Sequence, residues 1–286
     1  MFLNEGAGSA RSFRVRRAID LTRRALDADL HVTATRDPRE FAEWLAARIG
    51  GYGTAVIAGG DGSLGVAYNV AAGREGLVLG YIPAGFGNAS AHLLRLPRQP
   101  EALAAVLARG EVRPIDLVAV DGRLALFAGA GWDAMVAGRY ANAGARRLPG
   151  WTAAVARSLP DLWRRLSVEV RADGWVVHRG PMELLVAGTT PFYGRGLRVN
   201  PGARPDAGRM SLRVYRGPAP RLAAEVARWT LRLRPRAQRI DARHIEIRSL
   251  DGRPIPMQAD GDVIGQRDGW SLSVRPAIVR LIGRWS

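Results

Sequence analysis

The chain has 286 residues, 47% of them hydrophobic, which is enough to bury one large or two modest cores, and two domains are expected. It has no cysteine, and its four histidines (His31, His92, His178, His244) share no ligand-like spacing, which excludes disulfides, thiolate metal sites and cysteine nucleophiles and argues against zinc. All 42 basic residues are arginine: the absence of lysine rules out a Walker-type loop, the protein-kinase strand lysine and Schiff-base chemistry, while a net charge of +16 favours polyanions such as nucleotides, nucleic acid or anionic lipid headgroups.

No apolar run approaches the ~18 to 20 residues of a membrane span, and Met1 to Arg17 has no hydrophobic stretch before its charges, so neither spanning nor export is expected. In chain order, residues 2–10 read as the end of a short strand and a Gly-rich loop, and a helix is expected from Ser12 to Ala28. Leu30, Val32 and Ala34 alternate as a strand, and Asp37-Pro38 opens a helix to about Ile49 through a cap and a first-turn proline. A strand over 55–58 runs into Gly59-Gly60-Asp61-Gly62-Ser63 and a helix from Leu64 to Ala72. Leu77 to Ile82 is a further strand, closed by Pro83-Ala84-Gly85-Phe86-Gly87-Asn88 and a helix near Ala89 to Leu94, and Glu101 to Ala108 is helical. This alternation predicts a Rossmann-like α/β domain over 1–113, with a mostly parallel sheet and both Gly-rich loops at strand C-termini, where such sheets bind ligands.

From Pro114 the pattern turns to short alternating runs: Leu117 to Val120, Leu124 to Gly129, Leu166 to Arg171, Trp175 to His178, Met182 to Ala187, and strands over 210–216, 243–248 and 270–275. Asp121-Gly122 and Asp173-Gly174 are hairpin signals, so 114–286 is expected to form a mainly antiparallel domain. A helical insert from about Ala145 to Arg165, split near Pro160, and a helix from Ala219 to Leu233 interrupt it. The latter carries Leu222, Val226, Trp229 and Leu233 on one stripe among arginines, and the insert joins Trp151, Leu159 and Trp163 to Arg146, Arg147, Arg157, Arg164 and Arg165. Such stripes either face the core or lie on an anionic bilayer.

Four stretches carry candidate chemistry. In the first, Gly59, Gly60 and Gly62 let backbone approach a phosphate, the helix amides offer donors, and Asp61 could hold Mg²⁺ or orient phosphate; an ordinary capped turn is the alternative. Gly85, Gly87 and Asn88 form a second close-approach loop. Asp133, in Gly129-Ala130-Gly131-Trp132-Asp133-Ala134, and the pair Asp260 and Asp262, in Gln258-Ala259-Asp260-Gly261-Asp262, are either turn residues or carboxylates reaching into an interdomain cleft. Phosphoryl transfer to a hydroxyl needs a phosphate cradle, Mg²⁺ and a carboxylate for the proton, and the chain has a candidate for each.

The ordered set Asn4…Gly8-Ser9, Gly59-Gly60-Asp61-Gly62-Ser63, Pro83-x-Gly85-x-Gly87-Asn88, Gly131-Trp132-Asp133-Ala134, Tyr193-Gly194-x-Gly196-Leu197 and Gln258-x-Asp260-Gly261 resembles the diacylglycerol kinase catalytic-domain family, which includes bacterial lipid kinases and sphingosine and ceramide kinases. The resemblance spans nearly the whole chain. It implies an α/β nucleotide domain, a C-terminal β-sandwich lipid domain in the NAD kinase/diacylglycerol kinase-like arrangement, and ATP with Mg²⁺ between them. It implies that Gly59 to Ser63 face the phosphates, that Gly85, Gly87, Asn88 and Asn4 line the nucleotide site, that Asp260 is the general base with Asp262 next in line, and that Asp133 lies near the acceptor headgroup. Departures are Phe86 where relatives have Thr, Val66 where they have Glu, Asp262 in place of Glu, and Ala207 beside Asp206 at a turn that holds a structural Mg²⁺ in some relatives.

The expected activity is ATP-dependent phosphorylation of a diacylglycerol-like or sphingoid-like lipid, in the cytoplasm and peripheral to the inner membrane face. Its partners would be ATP, the lipid acceptor and an anionic membrane surface, with no specific nucleic acid and a homodimer left open. The alternatives are a catalytically weak nucleotide- or lipid-binding member of the fold, or a kinase of a soluble metabolite such as NAD.

Overall fold

The computed structural model describes residues 1–142, 147–163 and 165–285. In chain order its elements are β1 (Phe2–Asn4), α1 (Phe13–Leu26), β2 (His31–Thr33), α2 (Pro38–Ile49), β3 (Thr54–Gly59), α3 (Asp61–Ala71), β4 (Val78–Pro83), α4 (Ala89–Leu93), α5 (Pro100–Arg109) and β5 (Glu111–Val120). There follow β6 (Arg123–Ala125), β7 (Phe127–Gly131), α6 (Trp132–Ala141), α7 (Arg147–Ser158), β8 (Leu166–Ala172), β9 (Trp175–Met182), β10 (Leu184–Gly188), β11 (Met210–Tyr215), α8 (Ala219–Thr230), β12 (Ile240–Ala242), β13 (His244–Ser249), β14 (Ile255–Ala259), β15 (Asp262–Arg267) and β16 (Gly269–Gly283). The chain divides into two compact units, one of Met1–Ile115, Gly194–Gly196 and Ala277–Ser286, the other of Asp116–Tyr193 and Leu197–Pro276.

In the first unit the sheet order is β2-β1-β3-β4, with the C-terminal end of β16 beside β4, and every pairing is parallel. Helices cover the sheet, so the strands read as continuous apolar runs; Ala55 to Gly59 are all buried. Ser12 starts α1 by accepting from Val15 N, and Asp37 starts α2 by accepting from Arg39 N ahead of Pro38, each satisfying an amide that the helix cannot. Val15, Ala18 and Ile19 of α1 and Leu103 and Leu107 of α5 meet Leu3, Val56, Ala58 and Ile82 of the sheet in one apolar cluster.

The second unit stacks two antiparallel sheets. One has the order β12-β11-β10-β7-β14-β15, and the other runs from β9 through β8 and β13 to the N-terminal part of β16, with β5 pairing β6 and β16. Their facing side chains, among them Val168, Val170, Ile245 and Ile247 from one sheet and Leu185, Met210, Leu212 and Met257 from the other, form the sandwich core. Three two-residue hairpins share one chemistry. Asp121-Gly122, Asp173-Gly174 and Asp260-Gly261 take positive φ at both positions and join β5 to β6, β8 to β9 and β14 to β15. The architecture is therefore an N-terminal α/β unit with a mostly parallel sheet and a C-terminal antiparallel β-sandwich.

Several expected boundaries move. α3 begins at Asp61, three residues before Leu64, because Gly60 can serve as its N-cap without a side chain. The single strand expected over Leu124 to Gly129 breaks at Leu126 into β6 and β7. The helix expected to reach Leu233 stops at Thr230; Arg232 takes a left-handed φ of 57°, and Leu233 leaves the stripe 47% exposed. Leu222 and Trp229 are buried against Leu184, Val199 and Tyr215, so this stripe faces the core. β16 runs far past residue 275, since Pro276 and the left-handed Ala277 interrupt the pattern and Val279, Leu281 and Ile282 then resume it as buried positions. The expected insert is α7 followed by a 3-10 turn over Leu159–Trp163; Ala145, Arg146 and Arg164 lie outside the described residues. Among the described residues no helix is long and apolar enough to cross a membrane.

Candidate active site

In the first unit, loops leave the C-terminal ends of the adjacent strands β1, β3 and β4 and are tied into one rim. Ser9 donates from its amide (2.8 Å) and its hydroxyl (2.9 Å) to Ala84 O, and Ala84 N donates to Gly59 O at 2.7 Å. Asn4 folds back on its own loop, its Oδ1 accepting from Gly6 N at 2.9 Å, and its Nδ2 reaches Ser63 Oγ at 3.4 Å. Two glycines then meet backbone to backbone. A Cβ on Gly85 would lie 2.7 Å from Gly60 Cα and one on Gly60 3.3 Å from Gly85 Cα, so only glycines allow this approach. The same holds at Gly59, where a Cβ would lie 2.6 Å from Ser63 Oγ, whereas Gly62 opens on empty space. No side chain caps α3, so its first-turn amides face this rim without a protein acceptor from Gly60.

Asp61 is the first residue of α3, and its carboxylate spans to α4. One oxygen accepts from Ala89 N (3.0 Å) and the other from Ser90 N (3.2 Å). Burial pushes its pKa up, and the Ser90, Ala89 and Asn88 hydrogen bonds pull the other way. Asn88, in the left-handed conformation with φ 46°, closes its own loop: Oδ1 accepts from Gly85 N (3.0 Å) and from the Tyr81 hydroxyl (3.1 Å), while Nδ2 donates to Gly85 O (3.0 Å). Gly87 lies between them, half-buried. Tyr81 is fully buried, and burial, followed by the charge of Asp61, drives its pKa well above the ordinary value.

The second unit carries a separate polar cluster. β7 delivers Gly129 and passes through Gly131, with φ 83°, into α6, which carries Asp133 in its first turn. A side chain on Gly131 would strike Glu183 O at 2.5 Å. Asp133 Oδ2 accepts from the Tyr193 hydroxyl and from Gln258 Nε2 (2.8 Å), and Gln258 Nε2 also contacts the Tyr193 hydroxyl. A Cβ on Gly129 would overlap all three groups, so that glycine is the floor of the cluster. Burial raises the Asp133 pKa against these two donors, and burial together with Asp133 drives the Tyr193 pKa well above the ordinary tyrosine value.

Gln258 links this cluster to the next turn, its Oε1 accepting from Gly261 N at 2.7 Å. Asp260 sits in that turn and explains the break between β6 and β7: its carboxylate accepts from Leu126 N (3.0 and 3.1 Å) and Phe127 N (3.1 Å), two amides turned away from strand pairing. Asp262 points elsewhere, paired with Arg123 at 2.5 Å and 44% exposed, so it does not join Asp133 and Asp260. Asp206 pairs with Arg204 at 3.1 Å.

The structure thus gathers Asn4, Gly59, Gly60, Asp61, Ser63, Gly85 and Asn88 into one rim in the first unit, and Asp133 with the Asp260 turn in the second. Tyr81, Tyr193 and Gln258 carry no assigned role in the sequence reading, because a tyrosine or glutamine among apolar strand residues looks like any half-buried polar side chain. Tyr193 and Gln258 do stand within the quoted motifs, and this is the signal that could have found them. Among the described residues no three His, Asp or Glu side chains gather as a metal cage.

No curated protein matches the chain. Crystal structures of similar fold include one of diacylglycerol kinases from Bacillus anthracis str. Sterne, at 17% identity and a TM-score of 0.76, covering 98% of this chain and 94% of that one. Two further structures from the same strain align at 18% and 19% identity with TM-scores of 0.75 and 0.74, covering 98% and 99% of this chain and 95% of each of theirs. At such identities the likeness speaks for the fold. Residues 1–120 match the diacylglycerol kinase catalytic domain, and residues 127–283 match the YegS C-terminal NAD kinase beta sandwich-like domain. With the Gly60–Gly85 rim in the first of these and the Asp133 cluster in the second, the chain belongs to the diacylglycerol kinase catalytic-domain family, in its form with a YegS-type C-terminal sandwich.

Proposed function

We propose that this chain is an ATP-dependent lipid kinase that transfers the γ-phosphate to a hydroxyl of a diacylglycerol-like or sphingoid-like acceptor at an anionic membrane surface. The observation that carries this reading is the contact between Gly60 and Gly85, which leaves backbone and the uncapped start of α3 as the lining of one rim. Bare amides at a helix start suit a nucleotide polyphosphate, and with no lysine in the chain they would share the phosphate charge with arginine and Mg²⁺. Asp61 anchors α4 to this rim, its two oxygens accepting from the Ala89 and Ser90 amides. One such carboxylate suits Mg²⁺ that arrives with the nucleotide phosphates, rather than a cage made by protein alone. When bound, Mg²⁺ would neutralise charge on the transferring phosphate.

In the transfer, the acceptor oxygen bonds to the γ-phosphorus, the bond from that phosphorus to the leaving ADP oxygen breaks, and the hydroxyl proton passes to a carboxylate. Asp260 is the proposed base and Asp133, with Tyr193 and Gln258, the group that orients the acceptor. The raised pKa of Asp133 favours a second assignment, with Asp133 taking the proton and Asp260 holding the β6–β7 corner.

The test is incubation of the full chain with labelled ATP, Mg²⁺ and mixed micelles of diacylglycerol or sphingosine. Label in the lipid is the expected result. Nucleotide binding without transfer to any neutral lipid would instead identify a binding protein, and label in NAD alone would identify a kinase of a soluble metabolite.

A further inference from the structure

The second unit also holds a cavity of about 720 Å³ walled by Arg198, Arg213, Arg232, Arg234 and Arg239, and among its described lining residues there is no carboxylate. On a convex surface, arginines are hydrated and screened, so an arginine-rich chain tolerates many of them. Only Arg213 of the five is buried; Arg198, Arg232, Arg234 and Arg239 are exposed around the concavity, where one anion can meet several guanidinium groups at once and relieve their repulsion.

The local build supports an occupant. Arg213 alternates along β11 with Leu212, which enters the sandwich core, and is only 5% exposed. Its Nε donates to Asn200 Oδ1 at 3.1 Å, and another of its nitrogens donates to Ala237 O, so the fork is fixed in place. Burial lowers its pKa; the charge of Arg239 adds to that lowering, and Tyr215, Glu225 and Asp241 oppose it. Arg239 pairs with Asp241 at 2.5 Å. Gly202, with φ 92°, leaves the space for the Arg239 guanidinium, since a Cβ there would lie 2.3 Å from Arg239 Nη1. Beyond α8 the helix closes through Arg232 in a left-handed conformation, with Leu233 N donating to Arg228 O at 2.8 Å, and so brings Arg232 and Arg234 to one rim.

We propose that this cavity binds a phosphate-bearing anion, a phosphomonoester or pyrophosphate group, through several guanidinium forks. Phosphate matches the chemistry because each planar fork can engage two of its oxygens and its multiple charge answers several arginines at once. The group could be carried by a soluble phosphate or by the headgroup of a phosphorylated lipid. The inference stands whether or not the chain is a kinase.

The test uses the full chain, inorganic pyrophosphate and calorimetry at low salt. Arg232→Gln combined with Arg234→Gln, both exposed, is expected to remove one bound pyrophosphate per chain or weaken it by about 10-fold or more, roughly the loss of one charge-assisted contact. Arg14→Gln with Arg24→Gln, exposed on α1, removes the same charge and should leave that binding intact. Arg198→Gln, outside the α8 exit, checks the result independently, and melting curves confirm folding. A second arm sediments phosphatidylcholine vesicles with and without phosphatidic acid. Loss of phosphatidic acid binding in the cavity variants alone assigns the site to a lipid headgroup, and pyrophosphate binding with unchanged sedimentation assigns it to a soluble phosphate. Equal effects of the cavity and α1 substitutions, or no pyrophosphate and no cavity-dependent vesicle binding, would overturn the proposal.

Discussion

Asp133 is held by two donors, the Tyr193 hydroxyl and Gln258 Nε2, in surroundings that still raise its pKa. A carboxyl group with a higher pKa folded than unfolded favours the native state most when protonated. Its contribution is therefore fully present below the ordinary carboxylate range and is lost as pH rises through the folded value. Asp133→Asn removes this term: its melting temperature relative to wild type should rise between pH 4 and pH 7 while lipid phosphorylation falls. A variant uniformly less stable across that range would contradict the sign. For Asp260→Asn, loss of a general base predicts a fall in turnover of about 100-fold or more with nucleotide affinity kept. If Asp260 instead only anchors the Leu126 and Phe127 amides, the melting temperature falls and turnover per folded molecule survives. Residue types and Gly-rich spacing made both acids visible in the sequence. The partnership of Gln258 with Tyr193 was not visible, because it joins positions 65 residues apart that only the sandwich brings together.

Among elements, the turn between β3 and α3 matters for what it lacks, namely any side chain at the Gly60–Gly85 contact. Gly85→Ala would drive a methyl group to 2.7 Å from Gly60 Cα and 2.9 Å from Asn88 Oδ1, prising the loops apart. Nucleotide affinity should fall by about 10-fold or more, about 1.4 kcal/mol, measured by titration of the folded variant. Gly62→Ala meets no atom within 4 Å and sits in a helix, so it should hold stability or gain up to about 1 kcal/mol. Equal damage from both would show that the Gly60–Gly85 contact does not govern nucleotide affinity. The strand–loop–helix rhythm that places these loops follows from apolar period and caps, and the Asp-Gly hairpins follow from the positive φ that this dipeptide accepts. The break at Leu126 escapes such logic because its cause is the distant carboxylate of Asp260, and the stop at Thr230 escapes it because no glycine or proline marks the left-handed Arg232.

At the scale of the molecule, the pattern change at Pro114 is legible, but the return of the chain's last strand to the first unit is not. Arg280 and Leu281 pair with Val78 and Leu79, so β4 finds its second neighbour in β16. Nothing local distinguishes a strand that ends an antiparallel sandwich from one that goes on to complete a parallel sheet. This pairing bears on how the protein is made. Residues 277–283 are synthesised about 160 residues after Ile115, which at cellular rates is roughly 10 to 30 s. During that interval the first unit lacks its final strand, and the edge of β4, with Leu79 and Tyr81 otherwise buried, is open to mispairing. A nascent chain arrested near residue 270 should keep residues 1–115 sensitive to protease, and one extended far enough to free residue 283 from the ribosome should protect them. The first unit to be translated is then the last to be finished, and its folding is timed by the far end of the chain.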